Sequence, residues 1–167
     1  MTTHAAEVRL ELVSHPRYLG AVRDFIAAAT RALGFADNQA SQIALAVDEA
    51  VANVMRHGYA GRCDGRIWLA VIPVSDTAKG PGVRIVIEDE ARQVEPAAIR
   101  GRDLADIRPG GLGVHIIREV TDSAVYEKRA GAGMRLTIEK YLSSPAKACD
   151  ACGCSDPGTT SSAQPHG

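Results

Sequence analysis

A chain of 167 residues, 46% hydrophobic and 23% charged, has the length for one domain with a sizeable core and the composition of an ordinary soluble protein. Its formal net charge of -1 excludes a general attraction to nucleic acid or anionic lipid, and 4% aromatic residues leave little for base stacking. No apolar run can span a bilayer and the start, MTTHAAEVRL, lacks a signal-peptide pattern, so a cytoplasmic protein without membrane or direct nucleic-acid contacts is expected.

The first segment, AEVRLELVS, alternates Val8, Leu10 and Leu12 with Glu7, Arg9 and Glu11, which predicts a half-buried strand. Ser14 and Pro16 offer a helix start, and Leu19, Val22, Ile26, Ala29 and Leu33 recur at helical spacing up to Gly34, a natural stop. A second helix is predicted from Asp37 or Asn38 to about His57, closed by Gly58. GRIWLAVIPV and GVRIVIEDE read as strands, joined by the Gly- and Pro-bearing hairpin loop SDTAKGPG. Residues 91–109 carry scattered charge and no sustained period. GGLGVHIIREVTD opens on glycines and continues as a short helix, and SAVYEKR and GMRLTIEKYL flank AGAG as a second hairpin.

Strands joined by short loops pair antiparallel, with helices laid over one face. The expected fold is a two-layer α/β (α+β) sandwich whose mixed sheet is mainly antiparallel, occupying residues 1–142. Beyond Leu142 the composition shifts to Ser, Pro, Gly, Ala and Thr, so residues 143–167 read as a flexible tail. That tail holds Cys149, Cys152 and Cys154, three soft ligands where zinc usually takes four. Metal binding and a redox-sensitive or incidental tail both stay open, with Cys63 a fourth ligand only if the tail folds back.

Three stretches carry residues suited to chemistry. In EAVANVMRHGY, Glu49, Asn53 and His57 follow one another at four-residue steps, beside the apolar side formed by Ile43, Val47, Ala50, Val51 and Val54. A solvated helix face has the same look, but Ala46, Ala50 and Ala52 leave room for close approach. Glutamate can take a proton from a hydroxyl, and an asparagine oxygen suits hard Mg2+. Glu88 and Asp89 end a strand, where a carboxylate either accepts from an exocyclic amine or holds a turn. Gly110, Gly111 and Gly113 precede a helix, so bare amides can close around an anion at its positive end, although a glycine hinge is the alternative.

In order and spacing, IALAVDEAVANVMRHGY, VIEDEARQVEP and RPGGLGVHIIREVTDSAVYEK together resemble the anti-sigma-factor serine/threonine kinase family, within the gyrase and histidine-kinase ATPase superfamily of the Bergerat fold. The resemblance implies an ATP-dependent serine/threonine kinase that phosphorylates a small antagonist (anti-anti-sigma) protein, sequesters a sigma factor and forms a homodimer. It makes Glu49 the general base, Asn53 the Mg2+ ligand and Asp89 the acceptor for the adenine amine. Gly110, Gly111 and Gly113, with the neighbouring Leu112 and Val114, would hold the phosphates beneath a lid between Pro96 and Pro109. Arg100, Arg102 and Arg108 in that lid could help neutralise phosphate charge, with a solvated basic loop as the alternative.

Two positions depart from the family pattern. The usual Asp-x-Gly reads Asp89-Glu90-Ala91, and the usual Gly-Thr of the last strand reads Gly133-Met134. The Ala91 methyl is expected to occupy space where adenine approaches and to make a positive φ costly. A binding module that keeps the fold without turnover is the alternative these departures raise. The catalytic half of a sensor histidine kinase is disfavoured, because no dimerisation helix with a phosphoacceptor histidine precedes the domain. Partner surfaces are expected on exposed helix faces, where Arg17, Arg23 and Arg31 of the first helix fit either such a surface or an ordinary solvated face.

Overall fold

The structure is a computed structural model that describes residues 8–75, 78–99 and 112–142. Five strands, β1 (Val8–Val13), β2 (Arg66–Val74), β3 (Gly82–Asp89), β4 (Ser123–Lys128) and β5 (Met134–Tyr141), form one sheet in the order β1-β2-β3-β5-β4. Every pairing is antiparallel. Three helices, α1 (Leu19–Ala32), α2 (Asp37–Asn53) and α3 (Leu112–Val120), accompany it, with α2 packed between α1 and α3. This is the expected two-layer α+β sandwich.

Period-two alternation decides which face is buried. Ile67, Leu69 and Val71 of β2 register with Asp89, Ile87 and Ile85 of β3, and Ile87 and Ile85 with Leu136 and Ile138 of β5. All of these side chains are buried. Val22 and Ile26 of α1 and Ile43, Val47 and Val51 of α2 cover that face. Burying each such side chain contributes roughly 1.5–3 kcal/mol, so the sandwich is held chiefly by this layer. On the other face, cross-strand ion pairs Arg84–Glu139 and Arg135–Glu88, both 2.7 Å, keep the sheet solvated.

The helix ends set up the site. Gly34 closes α1 at φ 94°, a conformation that costs glycine little. Ahead of α2, the Gln39 side chain accepts from the Ala36 N–H at 3.2 Å, satisfying one orphan donor. The far end of α2 differs from the expectation of a helix to His57. Regular α-helix stops at Asn53, and Val54–Gly58 form a π turn, closed by the Tyr59 N–H donating to the Val54 carbonyl at 2.9 Å. Local helical spacing contains no sign of that widening.

Candidate active site

On α2, Glu49 and Asn53 are half-buried and face α3, whose first turn contains Gly113. A Cβ built on Gly113 would lie 2.6 Å from Glu49 Oε2 and 3.2 Å from Asn53 Nδ2. Glycine is therefore what lets the main chain at the head of α3 reach both side chains. The opening amides of α3, from Leu112 to Val114, have no partner within the helix, so they can meet an anion. A glutamate carboxylate, an asparagine side-chain amide and the opening main-chain amides of a helix thus converge on one spot.

His57 does not join them. The π turn leaves it exposed, where it borders a cleft of about 470 Å3 together with Ala60, Glu90, Ala91 and Arg92. The four-residue step continues in the sequence but not in space.

The second part of the site is the end of β3. Asp89 is 3% exposed, and its Oδ1 accepts from the main-chain N–H groups of Ala91 at 2.8 Å and Met134 at 3.2 Å. Burial raises its carboxyl above the ordinary 3.8, against the opposing pull of those two N–H groups and the Arg129 charge. Oδ2 has no hydrogen-bond partner among the described residues, so it is the oxygen left for a donor such as an exocyclic amine. Arg129 Nη1 donates to the Asp89 carbonyl at 2.5 Å, and its guanidinium lies over the Trp68 ring at 5.2 Å.

Both departures from the family pattern can now be located. Ala91 is not at positive φ, so the expected strain is absent, and its methyl is buried. That methyl packs on Gly58, where an added Cβ would come within 2.9 Å of it. Met134 supplies Asp89 with a main-chain N–H, a contact that is blind to the side chain. Gly133, at φ 83°, lies against the main chain of Asp89 and Glu90, and a Cβ there would overlap the Asp89 carbonyl and reach the Glu90 Cα at 2.8 Å.

Residues that the sequence did not single out also shape the site. Tyr59 is 8% exposed and stands between the end of α2 and the Asp89 loop. Burial raises its hydroxyl above the ordinary value. Asp48, beside Glu49, takes Arg23 Nη2 at 2.8 Å on Oδ2, while its buried Oδ1 has no partner among the described residues. Of the three arginines expected on a partner surface, Arg23 is held by that pair and Arg31 by Asp37 at 2.6 Å, while Arg17 lies over the Tyr18 ring. Arg100, Arg102, Arg108, Gly110 and Gly111 lie outside the described residues, as do Cys149, Cys152, Cys154 and most of the expected lid, of which Pro96–Ala98 form a short 3-10 turn. Cys63 is free and exposed, and among the described residues no group of three or more His, Cys, Asp or Glu side chains could hold a metal ion. No described helix is long and apolar enough to cross a membrane.

Comparison with known proteins bears on this arrangement. Residues 12–140 match the family model for the histidine kinase-like ATPase domain. The chain is similar to the serine-protein kinase RsbW of Listeria monocytogenes, at 24% identity over 148 residues covering 85% of this chain and 91% of that protein. It is similar to the anti-sigma F factor of Bacillus thuringiensis, at 30% identity over 114 residues covering 66% of this chain and 75% of that protein. Among solved structures, that of the RsbU and RsbW domains of Rv1364c from Mycobacterium tuberculosis superposes with a TM-score of 0.60 at 22% identity. It matches 84% of this chain, which spans 34% of that longer chain, and the likeness is one of fold.

Proposed function

The chain belongs to the histidine kinase-like ATPase domain family, and on that premise we propose that it is an ATP-dependent serine/threonine kinase that doubles as an anti-sigma factor. The observation that carries the proposal is the convergence of Glu49 and Asn53 on the bare main chain of Gly113. A proton acceptor and a cation ligand beside the amides of a helix start are what phosphoryl transfer requires, because that reaction depends on positioning and charge neutralisation.

In this reading Glu49 accepts the proton of a serine or threonine hydroxyl on the antagonist protein. The hydroxyl oxygen forms a bond to the γ-phosphorus as the bond to the bridging oxygen breaks, releasing ADP. Asn53 offers its amide oxygen to Mg2+, which when bound neutralises phosphate charge. Asp89 Oδ2 would accept from the adenine amine and the amides of Gly113 and Val114 would meet the phosphates, a role the sequence motif extends to Gly110, Gly111, Leu112 and Arg108. The names of the relatives, a serine-protein kinase and an anti-sigma F factor, support a protein serine as substrate and a sigma factor as partner; the antagonist and a homodimer in the cytoplasm belong to the same proposal.

Ala91 and Met134 are the motive for the alternative of a binding module without turnover. The buried Ala91 methyl and the main-chain bond from Met134 weaken that motive, since neither residue needs its usual family counterpart to hold Asp89. The test is incubation with γ-labelled Mg-ATP and the candidate antagonist. Label on the antagonist that disappears with Glu49→Ala is the expected result. Tight antagonist binding without transfer would replace the kinase with the module.

A further inference from the structure

Tyr59 follows Val54 by five residues, which in an unbroken α-helix would turn it about 140° away from that partly buried position. The hydrogen bond from the Tyr59 N–H to the Val54 carbonyl instead spends five residues on one turn, bringing Tyr59 back toward Val54's side. The ring is buried against Gly65, where a Cβ would come within 2.5 Å of Tyr59 Cδ1. Its hydroxyl donates to the Arg66 carbonyl at the start of β2, at 2.5 Å, and accepts from the Glu90 N–H at 2.9 Å. One hydroxyl therefore ties together the end of the helix that bears Glu49 and Asn53, the first residue of β2, and the residue after Asp89.

We propose that Tyr59 is a positioning residue for adenine recognition: its hydroxyl fixes the Asp89-Glu90-Ala91 turn at a set distance from Asn53, so that one nucleotide meets both. The inference rests on the nucleotide reading above and adds to it the part that sets base specificity. The other supports bear mainly on Asp89: Arg129 donates to its carbonyl, Met134 N–H to its Oδ1, and it pairs with Ile67 of β2, whereas the Glu90 N–H is held by the Tyr59 hydroxyl. The Ala91 N–H is used internally on Asp89 Oδ1, and the Ala91 methyl lies over Gly58 at the helix end. Without the hydroxyl, the Glu90 N–H and the Arg66 carbonyl both lose their partner, and the turn relaxes toward water to recover one. The shift reaches the Asp89 carboxylate, and with it Oδ2, through the Ala91 N–H on Oδ1. Groups on the phosphate side, held by α2 and α3, do not move.

The experiment is calorimetric titration of the full chain and of Tyr59→Phe with Mg-ATP and Mg-GTP, alongside thermal melts. The phenylalanine keeps the ring against Gly65, so the fold is retained. The expected outcome is an ATP affinity about tenfold weaker with GTP affinity unchanged, so that discrimination between the bases shrinks by the same factor. A purely structural tyrosine would weaken both nucleotides alike or neither, and either result overturns the inference. A second reading uses the unaltered protein: exchange of the Glu90 amide slows on adding Mg-ATP and does not on adding Mg-GTP. Equal protection by both, or none, overturns it as well. If the unaltered chain binds neither nucleotide, the nucleotide reading itself fails and takes this inference with it. That outcome is distinct from a chain that binds ATP and ignores the substitution.

Discussion

The two halves of the candidate site are built in opposite ways. On the proposed phosphate side, Glu49 and Asn53 would act through side-chain chemistry, and they sit half-buried beside a glycine that lets them in. On the base side, Asp89 is buried and held by main-chain N–H groups from Ala91 and Met134, with Gly133 pressed against its own main chain. A site half fixed by side chains depends on residue identity, whereas a half fixed by main chain tolerates changed neighbours and depends on backbone conformation. The departures at Ala91 and Met134 both fall on the tolerant half.

The sharpest break in that comparison comes from the phosphate side. Glu49→Ala is expected to lower phosphate transfer by about 10^2–10^4-fold while Mg-ATP still binds, because general-base catalysis supplies that range. Initial rates beside a binding titration would check it, and a joint loss of binding would assign Glu49 to ligand holding instead. Next come the two glycines. Gly133→Ala meets rigid carbonyl and Cα atoms at a positive φ, and is expected to cost about 3 kcal/mol of stability by denaturant unfolding. Gly113→Ala meets the movable end of a glutamate, so it is expected to cost under about 1 kcal/mol of stability yet slow transfer about 100-fold by displacing the base. If the two glycine substitutions prove equally destabilising, the contrast drawn here is wrong.

Much of this contrast explains what could be read from the sequence. The four-residue step from Glu49 to Asn53 was legible because regular helix persists that far. The step on to His57 does not carry over into space, because Val54–Gly58 widen into a π turn whose following Tyr59 bonds the distant Arg66 carbonyl and Glu90 N–H, partners that no local period encodes. Asp89 was legible as a carboxylate at a strand end. Its two donors were not, since a main-chain N–H looks the same at every residue except proline. The direction of the Ala91 methyl depends on the bare Cα of Gly58, a neighbour visible only after folding.

A smaller effect follows from the buried charge. Because the folded-state carboxyl of Asp89 is raised, the folded protein binds its proton more tightly than the unfolded chain does. Its contribution to stability therefore falls as pH rises from the unfolded value of 3.8 through the raised one, then stays flat. Asp89→Asn removes that penalty and is expected to leave the melting temperature at neutral pH equal or slightly higher, as functional residues often do when neutralised. ATP affinity of the unaltered protein is expected to weaken as pH drops into the same window. Smallest of all, Met134→Thr restores the usual family hydroxyl and is expected to change ATP affinity less than about fivefold, since the contact to Asp89 comes from the main chain.

The central claim is that one nucleotide spans both halves, and it is tested most directly by titrating ATP and GTP, with and without Mg2+, into the unaltered chain, Asn53→Ala and Asp89→Asn. The account predicts a separation: Asn53→Ala loses the magnesium dependence and keeps the preference for adenine, while Asp89→Asn loses the preference and keeps the magnesium dependence. Loss of both properties in either variant, or of neither in both, would contradict it.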